Sequence, residues 1–375
     1  MRRASKRRGT RGWPPIIGSP PMARPFHPFH SRRRLRGPVC LLAAAALGAG
    51  LAGCGGHASG GTTTAAARTI TTTRTETVAA GHTTTTTTTS TLTLPGTGRP
   101  AVTIGDKNYA EQFVLGQLYL KALEAQGFKV SITQNIGPTS VVLGSLKKHT
   151  LAMYPEYLNI FDETISHDRY PYKTLAAADA ASQKWAERHG LELLPPTPFS
   201  DTTGIAVTDA YASENHLHSI GDLLGVANTL DIGGAVQFKT NRSGLRALRG
   251  YGVAPATFTP LAVGDEYTAL DANTVQAAFI NTTDGELATG DYQVLRDPQN
   301  IFGYGNVVPV ITQQAYVQEG PAFAATIERV DRTLNLSTMR QLNNAVSVAN
   351  LPPATVALQY LETRGLLGPL SPSDY

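Results

Sequence analysis

The sequence predicts an α/β protein of two lobes, in which each lobe is a mostly parallel sheet covered by helices. Strand-like and helix-like segments alternate from residue 101 onward, which is typical of such sheets. These 275 residues are enough for one large domain or two medium ones. The chain has only two cysteines, Cys40 and Cys54, so neither a disulfide framework nor a cysteine metal cluster is expected.

The first lobe is predicted to begin with a strand over 102–104. Residues 106–108 then open a helix that runs to about Gln126, because apolar side chains recur there at helical spacing and Gly127 follows. A second strand is expected over 128–133 and a third over 151–153. Between them, Thr139 or Ser140 can cap a short helix.

The same alternation returns later in the chain. We predict strands over 204–208, 229–234, 275–281 and 306–311, and helices over 242–251, 321–334, 337–348 and 353–364. The chain should cross between the lobes twice, near 203–208 and near 306–311. The first lobe would then be 101–205 plus 310–375, and the second would be 206–309.

Positive charge is concentrated at the N-terminus. The chain has 32 basic and 28 acidic residues, but residues 1–53 contain 11 of the basic residues and no acidic one. The remainder therefore has 21 basic against 28 acidic residues. A net acidic body gives no electrostatic support for binding nucleic acid.

Residues 1–53 are typical of a secretory signal peptide. Basic residues precede an apolar run from Val39 to Leu51, which is too short to span a bilayer. The run ends in Leu51-Ala52-Gly53-Cys54, which resembles the bacterial lipobox. That resemblance implies cleavage before Cys54 and a lipid on its sulfur; the alternative is a chance cysteine after an Ala-rich stretch. Met1 and Met22 are both candidate starts.

Residues 54–100 are of low complexity, with 18 threonines between Thr62 and Thr93. Such a composition cannot bury a core, so we expect a disordered tether. Its threonines are either plain spacer or carriers of O-linked sugar. A lipid, a tether and a folded body together describe a protein held outside the membrane.

Four segments carry candidate binding residues, and each also has a purely structural explanation. The segment from Gly105 to Gln112 joins a strand to a helix, where open α/β sheets bind ligands, and Lys107 would favour an anion there. The alternative is a capped turn with Lys107 in solvent. Tyr154 to Tyr157 brings two rings to a strand end, and tyrosine faces attract cations, although such a pair also packs at lobe surfaces.

The other two segments also adjoin strands. Thr282 to Gly285 would either orient a ligand or cap the next helix. Phe302 to Pro309 places Tyr304 among glycines, as a pocket wall or as an ordinary loop residue. Each of the four segments is a weak signal when it is taken singly.

Taken together, the four segments resemble the substrate-binding lipoproteins of ABC importers for glycine betaine, carnitine, choline and related osmoprotectants. That family has a Gly-Ser-Lys-Asn-Phe-Thr-Glu-Gln-like start, a Tyr-Pro-Glu-Tyr-Thr-Gly-Thr motif, a Ser-Thr-Asp-Gly stretch and a late aromatic-rich loop before proline. Order and spacing agree over nearly all of 101–375. The resemblance implies a periplasmic-binding-protein-like fold of type II, whose two α/β lobes close on the ligand around a hinge.

The resemblance also implies roles for particular residues. Lys107 would meet a ligand carboxylate, and Tyr157 and Tyr304 would form part of an aromatic cage for a trimethylammonium group. No metal or cofactor is expected. The remaining expected ligand-binding residues are Asn108, Gln112, Thr203, Arg242, Asn281, Thr283 and Asp284.

The chain departs from the family pattern around the expected cage. Leu158-Asn159-Ile160 replaces Thr-Gly-Thr, which removes a hydroxyl that helps to hold the carboxylate. Thr203 and Asn281 stand where aromatic residues are usual, and Arg242 lies one position later than the usual arginine. We therefore expect a small cation or zwitterion with a bulky ammonium group, and either weak glycine betaine binding or a preference for a more polar ligand.

By the same resemblance, the protein would act as a monomer outside the cell membrane and deliver its ligand to an ABC permease and ATPase. Binding of another small polar or amino-acid-like solute is an alternative. An enzyme acting on an amine is a further one, but the sequence lacks Gly-x-Ser-x-Gly, His-Glu-x-x-His and a phosphate-binding Gly-Lys-Thr motif, and nothing marks a nucleophile.

Overall fold

The computed structural model describes residues 68–78, 82–167 and 172–375. The expected signal peptide and Cys54 lie outside the described residues. Within the threonine-rich segment, β1 (Arg68–Val78) pairs antiparallel with β2 (His82–Leu92). This hairpin lies within the segment expected to be a tether, and β-branched threonine favours its extended backbone. A two-stranded hairpin is by itself only marginally stable in water.

The ordered body begins before the expected boundary at residue 101. Leu94 is buried, and the Gly96 N–H donates to the Gln126 carbonyl at 3.0 Å. A Cβ at Gly96 would lie 2.2 Å from the Phe128 nitrogen, so this close approach requires glycine. The end of the expected tether therefore lies against the chain at Gln126 and Gly127. Gly127 has φ +82° and follows the first helix, as predicted for the residue that stops it.

Two five-stranded sheets form the described body. The first has the order β4-β3-β5-β12-β6 and the second β11-β7-β10-β8-β9, each with parallel and antiparallel pairs. These sheets confirm the predicted α/β class. In chain order the strands are β3 (Ala101–Gly105), β4 (Lys129–Thr133), β5 (Met153–Tyr157), β6 (Leu191–Leu193), β7 (Thr203–Thr208), β8 (Asp231–Ala235), β9 (Thr257–Leu261), β10 (Ala277–Asn281), β11 (Tyr292–Val294) and β12 (Val307–Thr312).

Helices cover both sheets. Prolines at Pro321 and Pro353 begin two of the C-terminal helices, where the missing N–H has no partner to lose. The α-helices are α1 (Ala110–Ala125), α2 (Thr139–Lys147), α3 (Leu158–Ile160), α4 (Leu175–Glu187), α5 (Asp209–Glu214), α6 (Leu245–Leu248), α7 (Glu266–Asp271), α8 (Gln313–Glu319), α9 (Pro321–Asp331), α10 (Leu336–Asn343) and α11 (Pro353–Thr363).

Shorter helical turns complete the body. π-helical turns follow α3 and α10, over Phe161–Ser166 and Asn344–Val348. The 3₁₀ turns are Ile220–Gly225, Val236–Lys239, Arg249–Tyr251, Gly285–Ala288 and Pro372–Asp374.

Each sheet has its own hydrophobic core. Helices α1, α9, α10 and α11 pack on the first sheet around Ile104, Leu118 and Phe323. The second sheet packs around Ile232 and Leu223. Further clusters lie around Tyr154 and Val310 on the first sheet and around Ala278 and Ile280 on the second, so each sheet buries its own apolar faces, as a two-lobed architecture requires.

The chain passes from the first sheet to the second between β6 and β7, and it returns between β11 and β12. The two crossing segments lie side by side: Ser200 and Asn306 form an antiparallel bridge, and the Asp201 N–H donates to the Gly305 carbonyl at 2.9 Å. Strand β7 lies wholly in the second sheet and β12 wholly in the first. The expected lobe boundaries at 205/206 and 309/310 therefore fall inside strands, and the crossings are 194–202 and 295–306.

Two local expectations were wrong. Tyr154 to Tyr157 lie within β5, where all five residues are buried, and not after the strand. Pro155 faces Pro309 of β12, and each proline lacks the N–H that another residue would donate at its strand position. The helix expected over 242–251 is shorter and begins at Leu245, because Gly244 approaches the Phe238 carbonyl too closely for any side chain.

Candidate functional site

The loops after β3, β8 and β10 meet at a cavity between the two sheets. Its volume is ≈ 440 Å³, which suits a small solute. The first lobe contributes residues 109–111 and the end of α10, and the second contributes the ends of β8 and β10. The carboxyl ends of strands are where open α/β sheets bind their ligands.

Aromatic rings from both lobes line this cavity. Tyr109 comes from the first lobe, and Phe238, Tyr267 and Phe279 come from the second. Phe238 and Phe279 stack with ring centroids 4.8 Å apart and planes 12° from parallel. Tyr109, which is 37% exposed, stacks on Tyr157 with centroids 5.9 Å apart. The faces of such rings attract cations.

Carboxyl groups make the cavity acidic. Among the described residues, no lysine, arginine or histidine lines it. Burial raises the pKa of Asp284 to about 7, although the Asn281 N–H and the Tyr267 hydroxyl each donate to it at 3.0 Å. Burial raises the pKa of Asp201 well above its usual range, and the charges of neighbouring carboxylates raise it further. The acidic residues of the lining are Glu111, Asp201, Glu266, Asp284 and Glu286.

Helix α10 connects the two lobes beside the cavity. Asn343 Nδ2 donates to Glu111 Oε2 at 2.7 Å and to the Thr283 carbonyl at 2.9 Å. Arg340 Nε donates to the Thr282 carbonyl at 2.9 Å. Because both partners of the Asn343 amide nitrogen are acceptors, the orientation of that amide is determined. Its Oδ1 is buried and has no hydrogen-bond partner among the described residues.

Lys107 does not line the cavity. Its ammonium forms a buried ion pair with Glu156 and donates to Thr139 Oγ1 at 3.1 Å. Glu156 also accepts from the Tyr157 N–H at 2.8 Å and from the Tyr154 hydroxyl at 3.1 Å. The structure thus gives the Lys107 ammonium an internal partner in place of the expected ligand carboxylate.

The other expected residues divide into two groups. Asn281, Thr283 and Asp284 line the cavity. Tyr157 is buried outside the lining, and its hydroxyl donates to Glu111 Oε1 at 2.8 Å. Gln112 is buried as well and accepts from the Lys107 N–H at 3.3 Å, so it holds the loop after β3.

The remaining four expected residues also lie outside the cavity lining. Asn108 and Arg242 are exposed, and Thr203 pairs with Asn281 across β7 and β10. The Tyr304 hydroxyl donates to the Lys173 carbonyl at 3.0 Å, and its ring packs in a cluster with Leu158 and Ala178. The aromatic lining of this cavity is therefore different from the expected pair of Tyr157 and Tyr304.

Sequence reasoning missed several lining residues. Tyr109 occupies the phenylalanine position of the first family motif, and that correspondence was an available signal. Phe279 shares a face of β10 with Asn281, because side chains alternate along a strand. Asp201, Phe238, Tyr267 and Asn343 lie in segments without any local motif, so no signal in the sequence indicated them.

Two further observations describe the part of the chain that the structure covers. It has no group of three or more His, Cys, Asp or Glu side chains arranged to hold a metal ion. None of its helices has the length and apolarity that a membrane span requires.

The two sheets, the double crossing and the cavity between them define a two-lobed α/β binding protein. The family model described as the substrate-binding domain of ABC-type glycine betaine transport systems matches residues 100–363, and the chain belongs to this family. Its members are extracytoplasmic substrate-binding components of importers, which are not a class of enzymes. The predicted family and its importer function are confirmed.

Known relatives support the same assignment. The chain is 27% identical over 289 residues to the glycine betaine-binding protein YehZ of Escherichia coli K12, covering 74% of this chain and 94% of the relative. It is 27% identical over 277 residues to a glycine-betaine-binding protein of Pseudomonas aeruginosa, and the match covers 70% of this chain and 88% of the relative. A solved structure of apo YehZ from Escherichia coli matches 71% of this chain and 99% of its own, with 28% identity and a TM-score of 0.63.

Proposed function

We propose that this protein captures a small solute with a quaternary or otherwise bulky ammonium group and passes it to an ABC import permease. One observation carries the proposal: aromatic rings and carboxyl groups meet in the cavity, and no basic side chain is among its described lining residues. The relatives named for glycine betaine binding support the same ligand chemistry.

Both components of the lining stabilise a bound ammonium group. A ring face in contact with a cation contributes about 0.5–2 kcal/mol, with the larger values where water is excluded. Burial raises the pKa values of the Glu111, Asp201 and Asp284 carboxyl groups, and a bound cation favours their ionised form, which in turn attracts the cation. A quaternary group also has no N–H whose hydrogen bonds to water would be lost on entry.

The ligand would also bias the arrangement of the lobes. Tyr109 and Glu111 belong to the first lobe, whereas Phe238, Tyr267 and Asp284 belong to the second. A ligand that touches both sets favours the conformation in which they are close together. The side-by-side crossings at 194–202 and 295–306 would serve as the hinge.

Titration calorimetry of the purified full-length chain with choline, glycine betaine and carnitine tests the ligand class. We expect at least one of them to bind, and we expect Tyr109→Ala to weaken that binding by about 2- to 30-fold, the equivalent of one ring face. Tyr375→Ala removes a tyrosine that is 66% exposed and outside the cavity, and it should bind like the wild type. Tight binding of a neutral sugar or a dianion, with none of the three amines bound, would contradict the proposal.

The membrane attachment is a separate part of the proposal. Cys54, after a basic run, an apolar run and Leu51-Ala52-Gly53, would carry a lipid that holds the protein at the outer face of the cell membrane. Metabolic labelling with a fatty-acid analogue should label the wild type and Cys40→Ser, but not Cys54→Ser. Equal labelling and membrane association of Cys54→Ser would refute it. We also propose a monomer, because one chain supplies both sides of the cavity; sedimentation at a dimer mass would contradict this.

A further inference from the structure

Two buried acceptor atoms at the cavity have no hydrogen-bond donor within the part of the chain that the structure describes. Asn343 is 5% exposed and lines the cavity, and its Nδ2 is already used by Glu111 and Thr283. Neither its Oδ1 nor Asp201 Oδ1 accepts a hydrogen bond from any described residue. An acceptor left buried without a donor is unfavourable, so a bound ligand that supplies N–H or O–H groups gains from both atoms.

The described residues that line this cavity include no cation for a ligand carboxylate. Lys107 is neutralised by Glu156 outside the lining, and Arg340 donates from Nε to the Thr282 carbonyl, also outside it. A ligand carboxylate would lose its water beside Asp201 and Asp284 without gaining an opposite charge. A charge that is buried without a partner of opposite sign strongly disfavours a complex.

We infer that the preferred ligand is a cation without a carboxylate, an N-alkylated amino alcohol, whose ammonium group meets the aromatic rings and whose hydroxyl donates to Asp201 or Asn343. This inference rests on the proposed function and narrows its ligand class. It follows from one juxtaposition: the Asp201 carboxyl and the Asn343 amide oxygen line the same cavity as the rings of Tyr109, Phe238 and Phe279.

Choline and glycine betaine form a matched pair of probes. Both carry a trimethylammonium group, and choline ends in a hydroxymethyl group where glycine betaine ends in a carboxylate. We expect calorimetry on the full-length protein at pH 7.5 to show choline binding at least about 10-fold more tightly, a difference of about 1.4 kcal/mol. This comparison uses only the wild type, so it does not depend on whether a variant folds.

Asp201→Asn then tests the hydroxyl contact. It should weaken choline binding several-fold and glycine betaine binding less, because only choline loses the contact of its hydroxyl, so the preference for choline shrinks. Asp179→Asn is the matched control, because it neutralises a partly buried carboxyl on α4 that does not line the cavity. A thermal melt of each variant confirms that it is folded.

The outcomes separate this inference from the function on which it rests. Glycine betaine binding as tightly as choline, or more tightly, overturns the inference and leaves the proposed function standing. If neither compound nor carnitine binds, the proposed function fails and the inference fails with it. A choline preference that is the same in Asp201→Asn and in the wild type overturns the contact assigned to Asp201.

Discussion

Replacing Lys107 by methionine tests whether this lysine stabilises the fold or binds the ligand. The Lys107 and Glu156 side chains are 7% and 0% exposed, and they form an ion pair. Removing one partner of a buried pair leaves a charge without compensation and costs about 3–5 kcal/mol. We expect the lower end of this range, because Glu156 keeps the donors of Thr139, Tyr154 and the Tyr157 backbone.

Glu156→Leu should destabilise the protein more than Lys107→Met. Lys107 would keep only Thr139 Oγ1 as a partner, and the donors of Tyr154 and Tyr157 would lose their acceptor. Each buried donor left without an acceptor adds about 1–3 kcal/mol. The double variant removes both charges, so its loss should be smaller than the sum of the two single losses by about 0.5–3 kcal/mol.

Equilibrium unfolding in urea measures these free energies, and choline titration of the same variants measures binding. Choline affinity should stay within about threefold of the wild type in Lys107→Met, because Lys107 does not line the cavity. Arg332→Met is the control: it removes the solvent-exposed partner of Glu328 and Asp374, and surface pairs of this kind should cost less than about 1 kcal/mol each. A Lys107→Met protein with normal stability and lost choline binding would refute this reasoning.

Two other predictions concern the hinge and a buried acid. Gly305→Ala adds a Cβ that would lie 1.7 Å from the Asp201 carbonyl oxygen, so it should lower the free energy of unfolding by about 1–3 kcal/mol. Gly144→Ala is the control, because its Cβ would enter open space beside α2, and it should be neutral or stabilising. Equal melting temperatures of the two variants would contradict this. Burial raises the pKa of Asp331 from 3.8 to about 8, so the folded state retains a proton that the unfolded state has released. The free energy of unfolding should therefore fall as pH rises from about 4 through 8, by up to about 1.4 kcal/mol per pH unit, and Asp331→Asn should flatten the slope measured in urea at several pH values. An unchanged slope in that variant would show that other groups cause the dependence.

Many elements of the fold were predictable because their signals are local. The apolar spacing of α1, the glycine after it and the strands β7, β10 and β12 all follow from neighbouring residues. The short helix α6 was overestimated, because its start depends on how closely Gly244 approaches Phe238. Tyr154 to Tyr157 were expected to follow the third strand, because proline commonly fixes a turn, whereas all four residues pair with β12 as part of β5.

The candidate site was predictable where it follows a strand directly. Thr283 and Asp284 come just after β10, and the carboxyl end of a strand is where a ligand is expected. Tyr157 and Tyr304 carry the same kind of motif signal, yet neither lines the cavity, because a motif does not show which way its rings face once the sheets are stacked.

The amino-acid sequence was enough to predict the alternation of strands and helices, the existence of two crossings, the acidic character of the body and the resemblance to betaine-binding lipoproteins. These depend on composition and short-range spacing. Tertiary packing places Lys107 beside Glu156, 49 positions away, where the two form an ion pair. It also brings the Asn343 amide within hydrogen-bond distance of Glu111, 232 positions away. Contacts of this kind arise only when the sheets and helices pack, because the partner of a side chain depends on distance in three dimensions and on burial. The same two factors determine whether a charged side chain faces a ligand or another side chain.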